Sequence, residues 1–162
     1  MSKKWAAFLL AALCGCAAKP QSRTFEPQPF TAQAEVIWQG EEYTAAVCYG
    51  PNGALSLSML GGALTEPVRL SYSDGVQEVE MGELSLRLPI DDALPGAVGV
   101  EFLSALTRLR LAKASQPKED GSFFYEEGSC SIVVEENGAW RTLFLEGGRF
   151  DFSEFTLTQP GT

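Results

Sequence analysis

The sequence predicts a mostly β (α+β) fold in which about ten antiparallel strands form one curved sheet, an unclosed β-barrel, with one helix packed on its concave face. Two observations support this fold class. From Phe30 onward, apolar and polar residues alternate in short runs that are separated by turn residues. One later segment places its apolar residues at helical spacing instead. A sheet with so many hairpins and a single helix must curl to cover its own apolar face.

The first six predicted strands precede the helix and are separated by turns. Apolar side chains from Phe30 to Trp38 alternate with mainly polar ones, which is typical of a half-buried strand. Asn52-Gly53 and Asp74-Gly75 supply the positive φ values that tight hairpin turns need. We therefore expect strands at residues 30–38, 43–49, 55–59, 68–72, 76–81 and 84–88.

The helix is expected from Val98 to Lys113. Glu101 near its start and basic residues near its end suit the helix dipole. Leu111 points away from the apolar stripe. The stripe itself comprises Phe102, Ala105, Leu106 and Leu109.

Four more strands are expected after the helix, at residues 122–125, 130–136, 140–145 and 149–158. Phe150 and Phe152 share one face of the last strand. Phe155 is out of step with them, so it joins that face only if a β-bulge intervenes.

The N-terminal residues have the pattern of an export signal. Lys3 and Lys4 precede an uncharged apolar run at residues 5–13. This run is too short to cross the roughly 30 Å hydrocarbon core of a membrane, which needs about 20 helical residues. It ends in Leu13-Cys14-Gly15-Cys16, which resembles the lipobox of bacterial lipoproteins.

That resemblance implies a specific modification. The thiol of Cys16 would receive a diacylglycerol, and cleavage after Gly15 would make Cys16 the new N-terminus. Two alternatives stay open, namely a secretory signal cleaved near Ala17-Ala18 and an uncleaved amphipathic N-terminal helix. The lipoprotein interpretation predicts a protein anchored by lipid to a cell membrane, on its extracytoplasmic face.

Composition sets the domain organisation and limits the partners. We expect a signal peptide at residues 1–15, a lipidated N-terminus and flexible, proline-rich tether at 16–29, one domain at 30–158 and a tail at 159–162. Removing residues 1–15 lowers the formal net charge from −9 to −11, because they hold two lysines and no acidic residue. An acidic protein is not expected to bind nucleic acid or, through its own surface, anionic lipid.

The residues that usually carry catalysis are scarce. The chain has no histidine, which excludes Ser/His/Asp and Cys/His catalysis. The paired carboxylates lie beside turns, where solvated charge is expected, so we predict no enzyme activity and no cofactor. Cys48 and Cys130 either form a disulfide, which export permits, or stay free as small buried thiols. Two thiols without histidine cannot make an ordinary zinc site, so no metal is expected.

The chain resembles the LolA-like superfamily of envelope lipoproteins and lipoprotein carriers over roughly residues 29–158. The similarity lies in the strand opened by Phe30-Thr-Ala-Gln-Ala-Glu-Val, the run Leu55-Ser-Leu-Ser-Met, and the segment from Pro67 to Gly75. The order of β-meander, helix and further hairpins also matches. The resemblance implies an unclosed barrel whose concave apolar face, capped by helix, holds acyl chains. It identifies no individual functional residue.

Two functions are therefore expected. In the first, the concave face holds a lipid, an acyl chain or a lipidated partner beneath the helix. In the second, the core is filled and the protein binds an envelope partner through an exposed apolar patch or edge strand, the identity of the partner being unknown. The first hypothesis predicts a cavity lined by aromatic and aliphatic side chains, namely Trp38, Tyr43, Met59, Tyr72, Phe102, Leu106 and Leu109.

Overall fold

The computed structural model describes residues 23–92, 96–115 and 117–158. These residues form ten strands. In chain order they are β1 (Phe30–Trp38), β2 (Glu41–Tyr49), β3 (Leu55–Gly61), β4 (Val68–Ser73), β5 (Val76–Met81), β6 (Leu84–Pro89), β7 (Phe123–Glu127), β8 (Cys130–Val134), β9 (Trp140–Leu145) and β10 (Gly148–Leu157). A short 3-10 helix, Ile90–Asp92, and the α-helix α1, Val98–Leu109, lie between β6 and β7.

All ten strands form one antiparallel sheet, in the order β6-β5-β4-β3-β2-β1-β10-β9-β8-β7. The first and last strands pair at its centre, and hairpin neighbours extend it on both sides. Strands β6 and β7 are the two edges and do not pair with each other. The predicted fold, ten antiparallel strands in an unclosed, curled sheet with one helix, is therefore confirmed.

Alternation along the strands determines which face of the sheet holds the core. In β1 the even-numbered residues from Phe30 to Trp38 are buried, while most of the intervening side chains are exposed. Strand β2 continues this face with Ala45, Val47 and Tyr49. We call this the inner face. Burial of alternate side chains is the direct structural consequence of the period-two sequence pattern.

Helix α1 packs on the inner face, against strands β3, β7, β8 and β9. It ends at Leu109, so the predicted end at Lys113 is wrong by one turn. The N–H groups of Leu111 and Ala112 bond to carbonyls only three residues back, which tightens and terminates the helix. Ala112 is then buried outside the helix, and Lys113 forms a β-bridge with Thr24.

A β-bulge in β10 brings Phe155 onto the inner face. The register between β1 and β10 shifts between Thr31 and Gln33, and Glu154 has a φ of 48°. The ring of Phe155 stacks on Phe30 with centroids 4.5 Å apart. The sequence pattern placed Phe155 on this face only if a β-bulge intervened, and that bulge is present.

Residues 23–29, assigned by composition to a flexible tether, are attached to the domain. Phe25 is buried, with its ring 5.4 Å from that of Tyr125 and 5.5 Å from that of Trp140. The N–H of Ala114 also donates to the carbonyl of Arg23. The flexible tether expected at residues 16–29 therefore does not extend over residues 23–29, where the ring of Phe25 and the backbone of Arg23 are both held by the domain. The folded part thus begins by Arg23, before Phe30.

Candidate functional site

The seven side chains predicted to line a cavity lie together, but in packed core. The structure places Trp38, Met59, Tyr72, Phe102, Leu106 and Leu109 in the buried cluster, with Tyr43 partly buried against it. The ring of Phe102 meets Phe150 edge-on at 5.2 Å and lies 6.3 Å from Trp140. The helix thus fills the inner face at this point with its own apolar stripe.

Tyr72 shows how dry this region is. Its side chain is 1% exposed, and among the described residues its phenolic oxygen has no hydrogen-bond partner that meets ordinary geometric criteria. Burial raises the pKa of Tyr72 to about 12, and the nearby Gly99 backbone opposes that rise only in part. The phenol is thus a desolvated part of the core.

An open groove lies elsewhere on the inner face, beside the docked N-terminal segment. It has a volume of about 970 Å³ and an aromatic floor that includes Phe25, Tyr125 and Trp140. Polar residues at its rim include Arg23, whose guanidinium lies 5.0 Å from the centre of the Phe123 ring. The volume falls in the range typical of small-ligand sites. None of the seven predicted cavity residues lines this groove.

A second surface feature is the part of the sheet formed by strands β4, β5 and β6, residues 68–89, which we call the wing. Two cross-strand rows carry the apolar inner face from the core to the free edge of the sheet. One row runs from Leu57 through Leu70 and Val79 to Leu86. The other row runs from Met59 through Val68 and Met81 to Leu84.

Exposure rises steadily along both rows. Leu57 and Met59 are buried in the core, and the side chains on β4 are partly buried. At the far end Met81 is 41% exposed, Leu86 55% and Leu84 69%. Helix α1 covers the sheet as far as β3 and Tyr72, which is buried together with Gln77 of β5. Toward Met81, Leu84 and Leu86, the rest of the wing's inner face is an apolar surface that is exposed among the described residues. Such a surface marks an interaction site more often than an exposed single side chain does.

The outer face of the wing is polar and differs sharply from the inner one. Arg69 pairs with Glu80 at 3.3 Å, and the hydroxyl of Ser85 lies 3.5 Å from Glu78. These groups are largely exposed, so the ion pair contributes little to stability. The contrast shows that the wing has one apolar side and one side suited to water.

A charge cluster formed by Asp120, Glu135 and Arg141 has a structural role. Asp120 accepts hydrogen bonds from the backbone N–H and hydroxyl of Ser122 and pairs with Arg141 at 2.8 Å. The Ser122 hydrogen bonds, with help from Arg141, hold the pKa of Asp120 well below its usual range, and Arg141 has a raised pKa in return. These contacts tie the loop before β7 to β9, and Arg141 also pairs with Glu135 at 3.4 Å.

The two cysteines of the domain do not form the disulfide that the sequence allowed. Both are free; Cys48 is exposed on the outer face of β2, whereas Cys130 is buried beneath the helix. The reason is visible in β2, where Cys48 alternates with the inward residues Val47 and Tyr49. Burial raises the pKa of the Cys130 thiol, and the charge of Arg108 opposes that rise.

The predicted lipidation and cleavage residues, Cys16 and Gly15, lie outside the described residues, as does the predicted tail at 159–162. Within the part of the chain that the structure describes, no helix is long and apolar enough to span a membrane, and no three acidic or thiol side chains are grouped so as to hold a metal ion.

The sequence pattern predicts the strands of the wing but not their exposed apolar surface. Leu84, Leu86 and Leu88 alternate as a half-buried strand should, and period alone assigns them to the core. One signal in the sequence does indicate this exposure. In a meander of six strands the sixth lies farthest from the first, and a single helix of twelve residues is only about 18 Å long, too short to cover the whole meander.

Comparison with known proteins adds no family to this picture. No protein-family model matches the chain, and no curated protein gives a significant match. The LolA-like resemblance therefore stays a prediction based on sequence pattern.

Proposed function

We propose that this protein is a lipid-anchored, extracytoplasmic binding module with a filled core, which docks onto a partner in the cell envelope through the apolar inner face of its wing. The observation that carries the proposal is the pairing of a closely packed centre with an uncovered apolar surface on the same face of one sheet. The centre is sealed by α1, whereas Met81, Leu84 and Leu86 are exposed. Such an arrangement offers an exposed surface to bind with, whereas the described side chains beneath the helix pack on one another.

The location rests on the sequence of the N-terminus. The lipobox-like segment Leu13-Cys14-Gly15-Cys16 supplies the thiol for lipid attachment. The attached lipid would hold the acidic domain at the membrane, since its own negative charge disfavours anionic lipid surfaces. Intact-mass analysis of the membrane-extracted protein, beside a Cys16→Ser variant, tests this part. An acyl adduct that vanishes in the variant, together with membrane partitioning, supports it, and an unmodified Cys16 contradicts it.

Site-specific photocrosslinking tests the docking surface. A photoreactive amino acid placed at Leu84 should give a discrete adduct in native membranes, because this side chain projects from the wing's inner face. The matched control is Leu60, a leucine that is 43% exposed but lies on the outer face of β3. An adduct at position 84 and none at position 60 supports the proposal. Equal adducts at both positions, or none at either, contradicts it.

A second function is favoured by the groove beside Phe25. Its volume of about 970 Å³ is enough for a single acyl chain, its lining combines aromatic rings with polar side chains such as Arg23 and Gln28, and it lies on the inner face where the LolA-like resemblance implies lipid binding. The test is titration of the full chain with a fluorescent fatty acid. Saturable binding that is weakened by Trp140→Ala, but not by Met81→Lys on the wing, would support an acyl site in this groove. No saturable uptake would eliminate it.

A further inference from the structure

The free edge of β6 has a definite hydrogen-bonding pattern. Met81 and Leu84 are paired across a two-residue turn, and the N–H of Ile90 donates to the carbonyl of Gly75 at 2.8 Å. Both facts place the backbone groups of the even-numbered residues of β6 toward β5, because these groups alternate in direction along a strand. The N–H and C=O groups of Ser85 and Arg87 therefore point outward, away from the sheet.

The opposite edge of the sheet is not free in this way. At β7 the carbonyl of Phe124 accepts from the N–H of Ser115, so the chain that leads into this strand also covers its edge. At β6 the described residues provide no such cover. Edge strands are commonly protected by lysine, proline or a bulge. Between Leu84 and Leu88 the only charged side chain is Arg87, and Pro89 limits the length of edge that a partner strand can use.

We propose that β6 pairs with β6 of a second copy of this chain, antiparallel and centred on Leu86, so that two sheets join into one. This inference rests on the proposed role of the wing as an interaction surface and names the partner at its edge. In that register Ser85 lies opposite Arg87 of the second copy. Because both have outward-facing backbone groups, each such pair exchanges two hydrogen bonds, and the two-fold axis gives four in all.

The side chains fit the same register. On the inner face Leu86 meets Leu86 of the second copy, and Leu84 meets Leu88, so the apolar rows of the two wings become continuous. On the outer face each row across the junction reads Glu78, Arg87, Ser85 and Glu80, the last two from the second copy. No like charges lie directly opposite each other, and each arginine lies beside Glu78 of its own β5. A shift by one residue would place leucines opposite polar residues on both faces.

Disulfide trapping tests this register in the native lipoprotein, in its membranes. A Leu86→Cys variant, built on Cys48→Ser to remove the exposed thiol, should form a disulfide-linked dimer under copper–phenanthroline oxidation. In the proposed register, the two Cα atoms at position 86 form a non-hydrogen-bonded pair about 4.5 Å apart, within the range a disulfide needs. The matched control is Leu84→Cys on the same strand and face, whose Cα would lie roughly 14 Å from its copy.

Dimer from position 86 with little from position 84 supports the proposal, and equal trapping at both positions, or none at either, overturns it. As a second test, Arg87→Pro removes one outward N–H without breaking the pairing with β5, so the native dimer should dissociate while the sheet stays folded by circular dichroism. A dimer that persists in this folded variant counts against the inference. If the photocrosslinker at Leu84 captures a different protein and no disulfide forms at position 86, the proposed function stands. The inference that the partner is a second copy of this chain is then overturned.

Discussion

The ring of Tyr72 occupies the space that a side chain at position 99 would need. Gly99 lies in the first turn of α1, and a Cβ built there would overlap Cε2, Cζ and the phenolic oxygen of Tyr72. Glycine is present here because of this close approach, since Gly99 has no positive φ. The contact between Gly99 and Tyr72 sets how closely the helix approaches β4, and therefore how completely the centre of the inner face is filled.

Gly99→Ala should therefore destabilise the fold, although alanine is the better helix former by about 1 kcal/mol. We expect a net loss of about 1–3 kcal/mol in the free energy of unfolding, measured by urea denaturation, because the ring cannot move without opening the core. Ser104→Ala, at an exposed position of the same helix, is the control and should be neutral or stabilising. The loss should shrink in a Tyr72→Leu background. A stabilised Gly99→Ala protein would contradict the packing described here.

The raised pKa of Tyr72 predicts a loss of stability at alkaline pH. Below pH 10 the phenol is protonated in both the folded and unfolded states, so it makes no difference to stability. Between pH 10 and about 12 only the unfolded state ionises, which favours unfolding by about 1.4 kcal/mol per pH unit. Urea midpoints across this window should fall more steeply in the wild type than in Tyr72→Phe. Identical slopes would show that the phenol is solvated.

Phe25 should matter to stability as much as a residue of the sheet. Its ring fills space between Tyr125 and Trp140, so Phe25→Ala leaves a cavity and should cost about 3 kcal/mol of unfolding free energy. The neighbouring Glu26→Ala is exposed and should change stability by less than about 0.5 kcal/mol. If thermal denaturation gives both variants the same Tm as the wild type, residues 23–29 are a tether after all.

The two free cysteines should differ strongly in reactivity. Maleimide should modify Cys48 rapidly in the folded protein, while Cys130 reacts only on denaturation because it is buried and its thiol pKa is raised. Mass spectrometry of peptides from the native and urea-treated protein measures both rates. A Cys48→Ser variant should lose the fast phase. Recovery of a Cys48–Cys130 disulfide peptide from native protein would contradict the placement of the two residues on opposite faces.

Much of the fold follows from local sequence signals. Alternation placed β1 at Phe30–Trp38, and the Asp74-Gly75 turn positioned the β4–β5 hairpin, because both depend only on neighbours along the chain. The bulge near Phe155 also follows from local pattern, since a residue out of step with its strand needs a bulge to reach the apolar face. These signals predict which strands exist and which side of each is apolar.

The candidate site was less predictable because it depends on which part of the sheet the helix covers. Period-two alternation makes Leu57 and Leu86 equivalent, yet one is buried and the other 55% exposed. The difference arises from the reach of α1, which tertiary packing decides. Phe25 was missed for the same reason: three prolines nearby indicate an extended segment, and its composition does not show that one aromatic ring docks into the sheet.

Amide hydrogen exchange at the β6 edge tests the central claim most directly. That claim is that the fold leaves the wing exposed and that a partner covers it in the membrane. In dilute, detergent-extracted monomer the N–H groups of Ser85 and Arg87 should exchange quickly, while those of Leu86 and Leu88, bonded to β5, exchange slowly. In native membranes all four should be slow. Fast exchange at Ser85 and Arg87 in both conditions would contradict the claim, because it would leave the edge and its apolar face permanently in water.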